Sequence, residues 1–521
     1  MTQPTLHPAS PELPHQIGRY RVLERIGEGS TSEVFLARDE FRGRDVALKR
    51  LRLEPGGDGI DAHHASRFFA AEAALVGQLE HPNVVQLFDA ALEGPEPYLV
   101  MEHVPGHTLK RFCRSDRLLS LEQIVEVGFK CASALGYCWR QGLIHRDIKP
   151  ANVLCVMDDS LTEVRDVKIT DFGSVLNLAS DRTQVLRVGS LSYMAPEQLE
   201  GIELDARADM YALAAVMYHL VAGRPPVEAP SQAALMQRIA QAEVPSLVGQ
   251  REGVTPALDS FLRRALSRRR EDRPATWEAF AAGLAALVRW QQVPRATQQS
   301  VLDSERFSLL RALEFFSDFD DVQLWEVARR ARWQRYAQGE HIYRKGEVGS
   351  SFHIIAQGEV EVFREGRLVA RMQAGTSVGE MSYLAPNPAL RTHSADVVAS
   401  QAATTVCFTP ESLRQTTLGT RSRFDAAFIK VLVRRLHAAQ ESLAQARSPA
   451  RAQPLDAAPA HPASAAAAAA QAATQAAHQA AHQAAHQAAR RAEAPVPAQA
   501  RPLPASGPRA PSRSFADSRF G

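Results

Sequence analysis

No stretch of this 521-residue chain is apolar for long enough to cross a bilayer, and the Ala-rich run near its end is broken by Gln, His and Arg. The first residues, MTQPTLHPASPELPHQ, lack both the basic start and the apolar core of a signal peptide. Cysteine is scarce: Cys113, Cys131, Cys138, Cys155 and Cys407 are scattered and form no CxxC pair. That excludes a disulfide scaffold and points to a reducing compartment. An excess of one charge is also missing, since Lys+Arg 60 against Asp+Glu 58 leaves +2. A dominant nucleic-acid or membrane-surface role is therefore not expected. These absences predict a soluble, cytoplasmic protein with neither nucleic acid nor membrane as partner.

What is present supports large cores: 45% of residues are apolar, and the length suits two or three domains. One segment organises the rest. Between the apolar anchors Ile144 and Val153-Leu154 lie His145-Arg146-Asp147-Ile148-Lys149-Pro150-Ala151-Asn152. An acid, basic groups and an amide are thus confined to one short loop, with backbone freedom limited by Pro150.

This segment resembles the catalytic loop of Ser/Thr protein kinases, His-Arg-Asp followed by four residues and Asn. The resemblance implies that Asp147 accepts the proton of a substrate hydroxyl and that Asn152 holds magnesium. Lys149 is the mark of the Ser/Thr type. Residues 20–37 read as strand, turn, strand around Gly27-Glu28-Gly29-Ser30-Thr31-Ser32. Glycines there let backbone amides approach phosphate oxygens. The turn is similar to the kinase glycine-rich loop, with Ser32 where a third Gly is usual, Ile26 before it and Val34 after. Val46-Ala47-Leu48-Lys49 alternates as a strand and leaves Lys49 toward the nucleotide, where the family's lysine holds the α- and β-phosphates. Glu72 lies in an otherwise apolar helical pattern over residues 66–79 and is the implied partner of Lys49. In Tyr98-Leu99-Val100-Met101-Glu102-His103-Val104 the resemblance places Met101 behind the adenine and Glu102 to Val104 at the hinge that meets the base.

Val167-Lys168-Ile169-Thr170-Asp171-Phe172-Gly173 ends in the family's magnesium-binding triplet, which adds Asp171 to Asn152. Oxygen ligands suit Mg²⁺, with Mn²⁺ as an alternative. Residues 174–192 read as the activation segment, with Thr183 the first phosphorylation candidate, Ser180 and Ser190 rivals, and Arg146 the implied phosphate partner. Tyr193-Met194-Ala195-Pro196-Glu197 resembles the Ala-Pro-Glu closure, with Glu197 expected to pair with Arg273, and Asp209 matches the acid that braces the catalytic loop. Ser32, and Val227 where Phe is usual, depart from the pattern without removing a group that the chemistry requires.

From Tyr336 the period changes to two and glycines recur, which predicts short strands with tight turns. The order resembles a cyclic-nucleotide-binding domain. Val378-Gly379-Glu380-Met381-Ser382-Tyr383-Leu384 is similar to its phosphate-binding cassette, where a helix N-terminus would meet the cyclic phosphate and Glu380 the ribose 2′-OH. Two registers remain for its second half: Arg391-Thr392 as the phosphate residues, or His393 in the arginine's place before Ser394-Ala395. Residues 425–447 form an amphipathic pattern, and in the family such a helix lids the nucleotide or makes a dimer contact.

The expected fold class is α+β: a bilobal protein kinase fold, then a β-roll, then a low-complexity tail. The boundaries are a leader over 1–17, the kinase over 18–289, a linker over 290–314, the cyclic-nucleotide-binding-like domain over 315–445 and the tail over 446–521, where His478, His482 and His486 recur in a His-Gln-Ala-Ala repeat. The implied activity is that of a Hanks-type Ser/Thr kinase using ATP and Mg²⁺ on protein substrates, with autophosphorylation. Regulation by cAMP or cGMP through the second domain and a homodimer are also implied. The alternative is a catalytically idle scaffold acting through the second domain, which the intact Lys49, Asp147 and Asp171 disfavour.

Overall fold

The computed structural model describes residues 13–29, 32–52, 73–74, 77–92, 96–158, 164–172, 176–177, 191–241, 243–294, 302–385, 387 and 391–447. The first layer is a sheet in the order β1-β2-β3-β4-β6-β5. Its strands are β1 (Gln16–Ile17), β2 (Tyr20–Glu28), β3 (Ser32–Asp39), β4 (Arg44–Leu51), β5 (Leu87–Ala91) and β6 (Tyr98–Glu102). Strict alternation along β3 buries Phe35 and Ala37 on one face. Val46 and Leu48 on β4 join them in the sheet's core.

The second lobe is mainly helical. Helix α1 (Leu121–Arg140) begins with a capping box between Ser120 and Gln123 and is apolar enough to run through the core. Short strands β7 (Gly106–Thr108), β8 (Leu143–Ile144), β9 (Val153–Met157), β10 (Val164–Ile169) and β11 (Leu176–Asn177) frame the catalytic segment. Then follow α2 (Pro196–Leu199), α3 (Ala206–Ala222), α4 (Gln232–Gln241), α5 (Pro256–Ala265) and α6 (Trp277–Arg289). Helix α3 is buried nearly all round, starts on an Asp205 cap and stops at Gly223, whose φ of 72° suits glycine at a helix end.

The third part begins with α7 (Asp303–Ala312) and α8 (Asp321–Arg330). Residues 309–333 are thus not one continuous helix. Phe315, Phe316 and Phe319 turn inward there and pack against Phe424, so aromatic burial overrides helix continuity. Two four-stranded sheets form the β-roll, in the orders β12-β19-β14-β17 and β13-β18-β15-β16. They comprise β12 (Arg332–Tyr336), β13 (His341–Tyr343), β14 (Phe352–Gln357), β15 (Glu359–Arg364), β16 (Arg367–Gln373), β17 (Ser377–Val378), β18 (Asp396–Ala399) and β19 (Ala403–Phe408). Helix α9 (Glu380–Leu384) follows β17, and α10 (Pro410–Arg414) and α11 (Leu418–Arg447) close the domain.

Among the described residues, those up to Ala439 make one compact unit. Within that unit one apolar cluster runs from α1 through Phe307, Leu310 and Trp325 to Phe352, Phe408, Phe424 and Phe428. Part of the expected linker, residues 303–312, is therefore folded into that shared core. The five cysteines are free and buried. Among the described residues no helix is long and apolar enough to cross a membrane.

Candidate active site

The catalytic segment is held from below by one buried carboxylate. Asp209 accepts from the backbone amides of His145 (2.7 Å) and Arg146 (2.8 Å), which fixes Arg146 at φ 66°. Loss of water pushes the Asp209 carboxyl up, while the His145 charge and these two amides oppose that. The His145 ring meets the Thr170 carbonyl at 3.1 Å and lies 4.7 Å from the Phe172 ring, linking this loop to the end of β10. Gln198 donates to the Arg146 carbonyl at 3.0 Å.

On this platform Asp147, Lys149 and Asn152 converge. Lys149 Nζ lies 2.7 Å from Asp147 Oδ2, and Asn152 Nδ2 donates to the Asp147 carbonyl (2.8 Å) and to its Oδ2 (3.1 Å). That use of Nδ2 leaves Oδ1, which carries lone pairs and no proton, as the atom of Asn152 suited to a cation. Across the cleft, Lys49 Nζ reaches Asp171 Oδ1 at 2.7 Å. Asp171 sits at φ 65°, and the Lys49 charge holds its carboxyl below the usual carboxylate range. Lys49 is placed by strand pairing, opposite Val34 on β3 and Leu99 on β6.

The nucleotide-side residues follow the same sheet. Gly27 pairs with Val34, and the Gly29 amide donates to the Ser32 carbonyl at 2.7 Å, closing the hairpin tip. Ile26 is exposed beside it, as is Glu28. Ala47 is buried directly opposite Met101, and Val46 opposite Glu102. Glu102 also pairs with Lys168 at 2.9 Å, and Val104 is half-buried just beyond. Glu72, Ser30, Thr31, Gly173, Thr183, Ser180 and Ser190 lie outside the described residues. The expected Glu197–Arg273 pair is present, two-pronged at 2.6 and 2.9 Å and buried.

A second candidate site lies in the β-roll. Gly379 takes φ 81°, and a Cβ there would meet the Tyr343 hydroxyl at 2.6 Å. Glu380 is 2% exposed, and its Oε1 is held by Arg435 of α11, whose Nη2 also donates to the Ser377 carbonyl at 2.7 Å. Glu380 Oε2 and Ser377 Oγ are buried without a hydrogen-bond partner. Met381 points out at 64% exposure, while Ser382 is buried and donates to the Thr392 carbonyl at 3.2 Å. The cassette's second half takes the register with His393 inside. His393 is buried, stacked 3.9 Å from Tyr343, and burial lowers its pKa. Arg391 and Thr392, the phosphate residues of the other register, are exposed.

Sequence reasoning missed Arg435, since an arginine on an amphipathic helix carries no sign of its distant partner. It also missed the group Lys130, Asp166, Asp303 and Arg329, where α7 and α8 meet α1 and β10. Among the described residues no cluster of three or more His, Cys, Asp or Glu is arranged to hold a metal ion by itself. The oxygens of Asp171 and Asn152 fit Mg²⁺, a cation that shares its shell with phosphates instead of needing a full protein cage.

Comparison with known proteins matches residues 20–283 to the protein kinase domain and residues 333–418 to the cyclic nucleotide-binding domain. Serine/threonine-protein kinase PknB of Mycobacterium leprae (strain TN) is 33% identical over 307 residues, covering 57% of this chain and 47% of that protein. The PknB of Mycolicibacterium smegmatis is 34% identical over 307 residues, with the same two coverages. Serine/threonine-protein kinase PrkC of Bacillus subtilis (strain 168) is 31% identical over 316 residues, covering 60% of this chain and 46% of its own. The chain thus spans about half the length of the curated relatives it matches.

Proposed function

The chain belongs to the protein kinase family, with a cyclic nucleotide-binding domain after the kinase domain, and from that premise we propose that it is a Ser/Thr protein kinase that transfers the γ-phosphoryl group of ATP to protein hydroxyls. The observation that carries this is the convergence of Asp147, Lys149 and Asn152 opposite the Lys49–Asp171 pair. Asp147 orients the substrate hydroxyl and accepts its proton, and Lys149 holds the Asp147 carboxylate in place. Lys49 positions the α- and β-phosphates, with Glu72 as its helix partner. The hairpin from Ile26 to Val34 covers the phosphates, and Ala47, Met101, Glu102 and Val104 receive the base. Asn152 and Asp171 would hold Mg²⁺, which neutralises charge on the phosphates. Autophosphorylation, with Thr183 as the candidate acceptor, belongs to the same reading.

The test is transfer from Mg-ATP to a generic protein substrate, with phosphoserine and phosphothreonine located by mass spectrometry. Asp147→Asn is expected to lower the rate at least about a hundredfold, the usual weight of a positioned acid–base group. Transfer unchanged in that variant would refute the assignment. ATP binding without transfer by the wild type would favour the scaffold.

The C-terminal domain is the proposed regulator, supported by the core it shares with the kinase. A cyclic nucleotide is its candidate ligand, with Gly379, Glu380 and Ser382 as contacts. To reach Glu380 the ribose would displace Arg435, and the cyclic phosphate would meet a histidine whose charged form burial disfavours. Ile429, Val433 and Leu436 are exposed on α11, which supports a homodimer through that helix. Titration with cAMP and cGMP, followed by both binding and activity, decides the ligand.

A further inference from the structure

Where the C-terminal domain meets the kinase, two kinds of contact are separable. The first is an anchor. Trp325 of α8 is fully buried against Phe129 and Phe307, and its Nε1 donates to Ser133 Oγ at 2.7 Å. Lys130 and Asp303 pair beside it at 2.8 Å. The second is a clamp at the last turn of α8. Arg329 Nη1 lies 2.9 Å from Asp166 Oδ2, and Nη2 lies 3.2 Å from both Asp166 Oδ1 and Asn83 Oδ1. One guanidinium therefore spans both oxygens of a carboxylate and an amide oxygen, the use to which arginine's rigid fork is suited.

What the clamp grips matters more than its strength. Asn83 is fully buried and donates to Asp166 Oδ1 and to the Val167 carbonyl, both at 2.7 Å. Its carbonyl accepts from Ile169 at 2.8 Å, and the Val85 amide returns to the Ile169 carbonyl at 2.9 Å. Asp166 through Ile169 are β10, which two residues later delivers Asp171 and whose Lys168 pairs with Glu102 at 2.9 Å. Both the magnesium-side carboxylate and the base-side segment hang from the strand that Arg329 holds.

We propose that Arg329 is a positioning residue for Mg-ATP. Through Asp166 and Asn83 it fixes β10, and so the place of Asp171 and of the Glu102 segment. This rests on the kinase reading. It gives the C-terminal domain a direct hold on the nucleotide site from behind the cleft. Because Trp325 and Lys130–Asp303 supply the anchor, removing Arg329 leaves the domains docked while freeing the strand.

The test uses the full chain: wild type, Arg329→Ala, Arg329→Lys, Asp166→Asn and the Arg329→Ala/Asp166→Asn double variant. Each is checked by thermal unfolding, by initial rates against Mg-ATP concentration, and by calorimetric Mg-ATP binding. For Arg329→Ala, KM and Kd for Mg-ATP are expected to rise about fivefold or more, the lower range of site-to-site coupling, with kcat within about twofold. Arg329→Lys recovers part of the loss, and the double variant is no worse than the worse single one, since both act through one contact. An unchanged KM and Kd overturns the proposal. So does a loss confined to kcat that follows Tm, which marks a merely structural pair. If the wild type binds Mg-ATP but transfers nothing, the kinase reading fails, and the calorimetric comparison still decides the clamp.

Discussion

Glu126 on α1 is the carboxylate most worth titrating. It faces α7, where Ser304 donates its backbone amide at 3.3 Å and its hydroxyl as well. Loss of water drives the Glu126 carboxyl up to about 7, and Asp303 adds to that, while Lys130 and Ser304 pull it down. The ordinary value is 4.5, so the folded state binds this proton more tightly between about pH 4.5 and 7. Stability from Glu126 is thus highest at low pH, falls as pH rises through that window, and stays low above it. At 1.36 kcal/mol per unit this sets a ceiling of about 3 kcal/mol, with the opposing pull of Lys130 already included. The neighbours titrate elsewhere. Burial raises Asp303, but Lys130, Arg306 and Arg329 together hold it below 3.8, and burial lowers Lys130, but Asp303, Asp166 and Glu126 together hold it above 10.5. Glu126→Gln removes the titration and keeps an acceptor for Ser304. Thermal and urea unfolding of both chains at pH 5, 6, 7 and 8 should show the variant gaining on the wild type with each step up to 7, then a plateau. Parallel curves, or a variant that loses ground at pH 8, would refute the reasoning, because Glu126 would then be a charged partner of Lys130.

Two further outcomes are open to direct measurement. Arg273 is buried, forks onto Glu197 and also donates to the carbonyls of Ser267, Arg207 and Arg268 at 2.8 to 3.1 Å. Arg273→Ala leaves Glu197 buried and alone, and urea unfolding should lose about 3–5 kcal/mol; a loss under about 1 kcal/mol would mean that water or a neighbour takes over. Arg435→Ala strips the cation from Glu380, both of whose oxygens then lack partners, and should cost the β-roll about 1–3 kcal/mol, partly restored by Arg435→Lys. An unaltered unfolding curve for Arg435→Ala would show that the pair carries nothing.

The candidate kinase site was legible because each of its groups sits in a short run whose neighbours announce it. His145 to Asn152 and Val167 to Phe172 are local patterns, and the burial of Val46 and Leu48 on β4 follows from strand alternation. The β-roll was legible through its period of two and its glycine turns. What could not be read were contacts made across the chain. Arg329 finds Asp166 across a separation of 163 residues, and Arg435 finds Glu380 across 55. Among 60 Lys and Arg, nothing in the sequence marks these two. Nor could local pattern choose between Arg391 and His393. The packing of the His393 ring on Tyr343, 50 residues away in the chain, is a contact that local pattern does not show. The break between α7 and α8 has the same origin, since three phenylalanines gain more by reaching Phe424 than by continuing a helix.

A ligand of the β-roll acts on the kinase only if it binds two arrangements of the chain with different affinity. On the proposed regulatory reading that difference would lie on α11. Its Arg435 closes on Glu380, its Arg434 and Lys430 hold Glu314 and Asp318 between α7 and α8, and Phe428 packs 5.4 Å from Phe315. At its first turn Thr417 and Thr420 are tied to Glu326 of α8, three residues before Arg329. A hydroxyl donor that takes Glu380 therefore competes with Arg435, and any shift of α11 is felt by the helix that clamps Asp166. To move the kinase from one state to the other almost completely, the ligand would need about 5.5 kcal/mol of preference. A single displaced ion pair supplies only part of that, so the proposed regulation predicts graded modulation, with KM for Mg-ATP shifting severalfold, and an all-or-none response to the ligand would refute it.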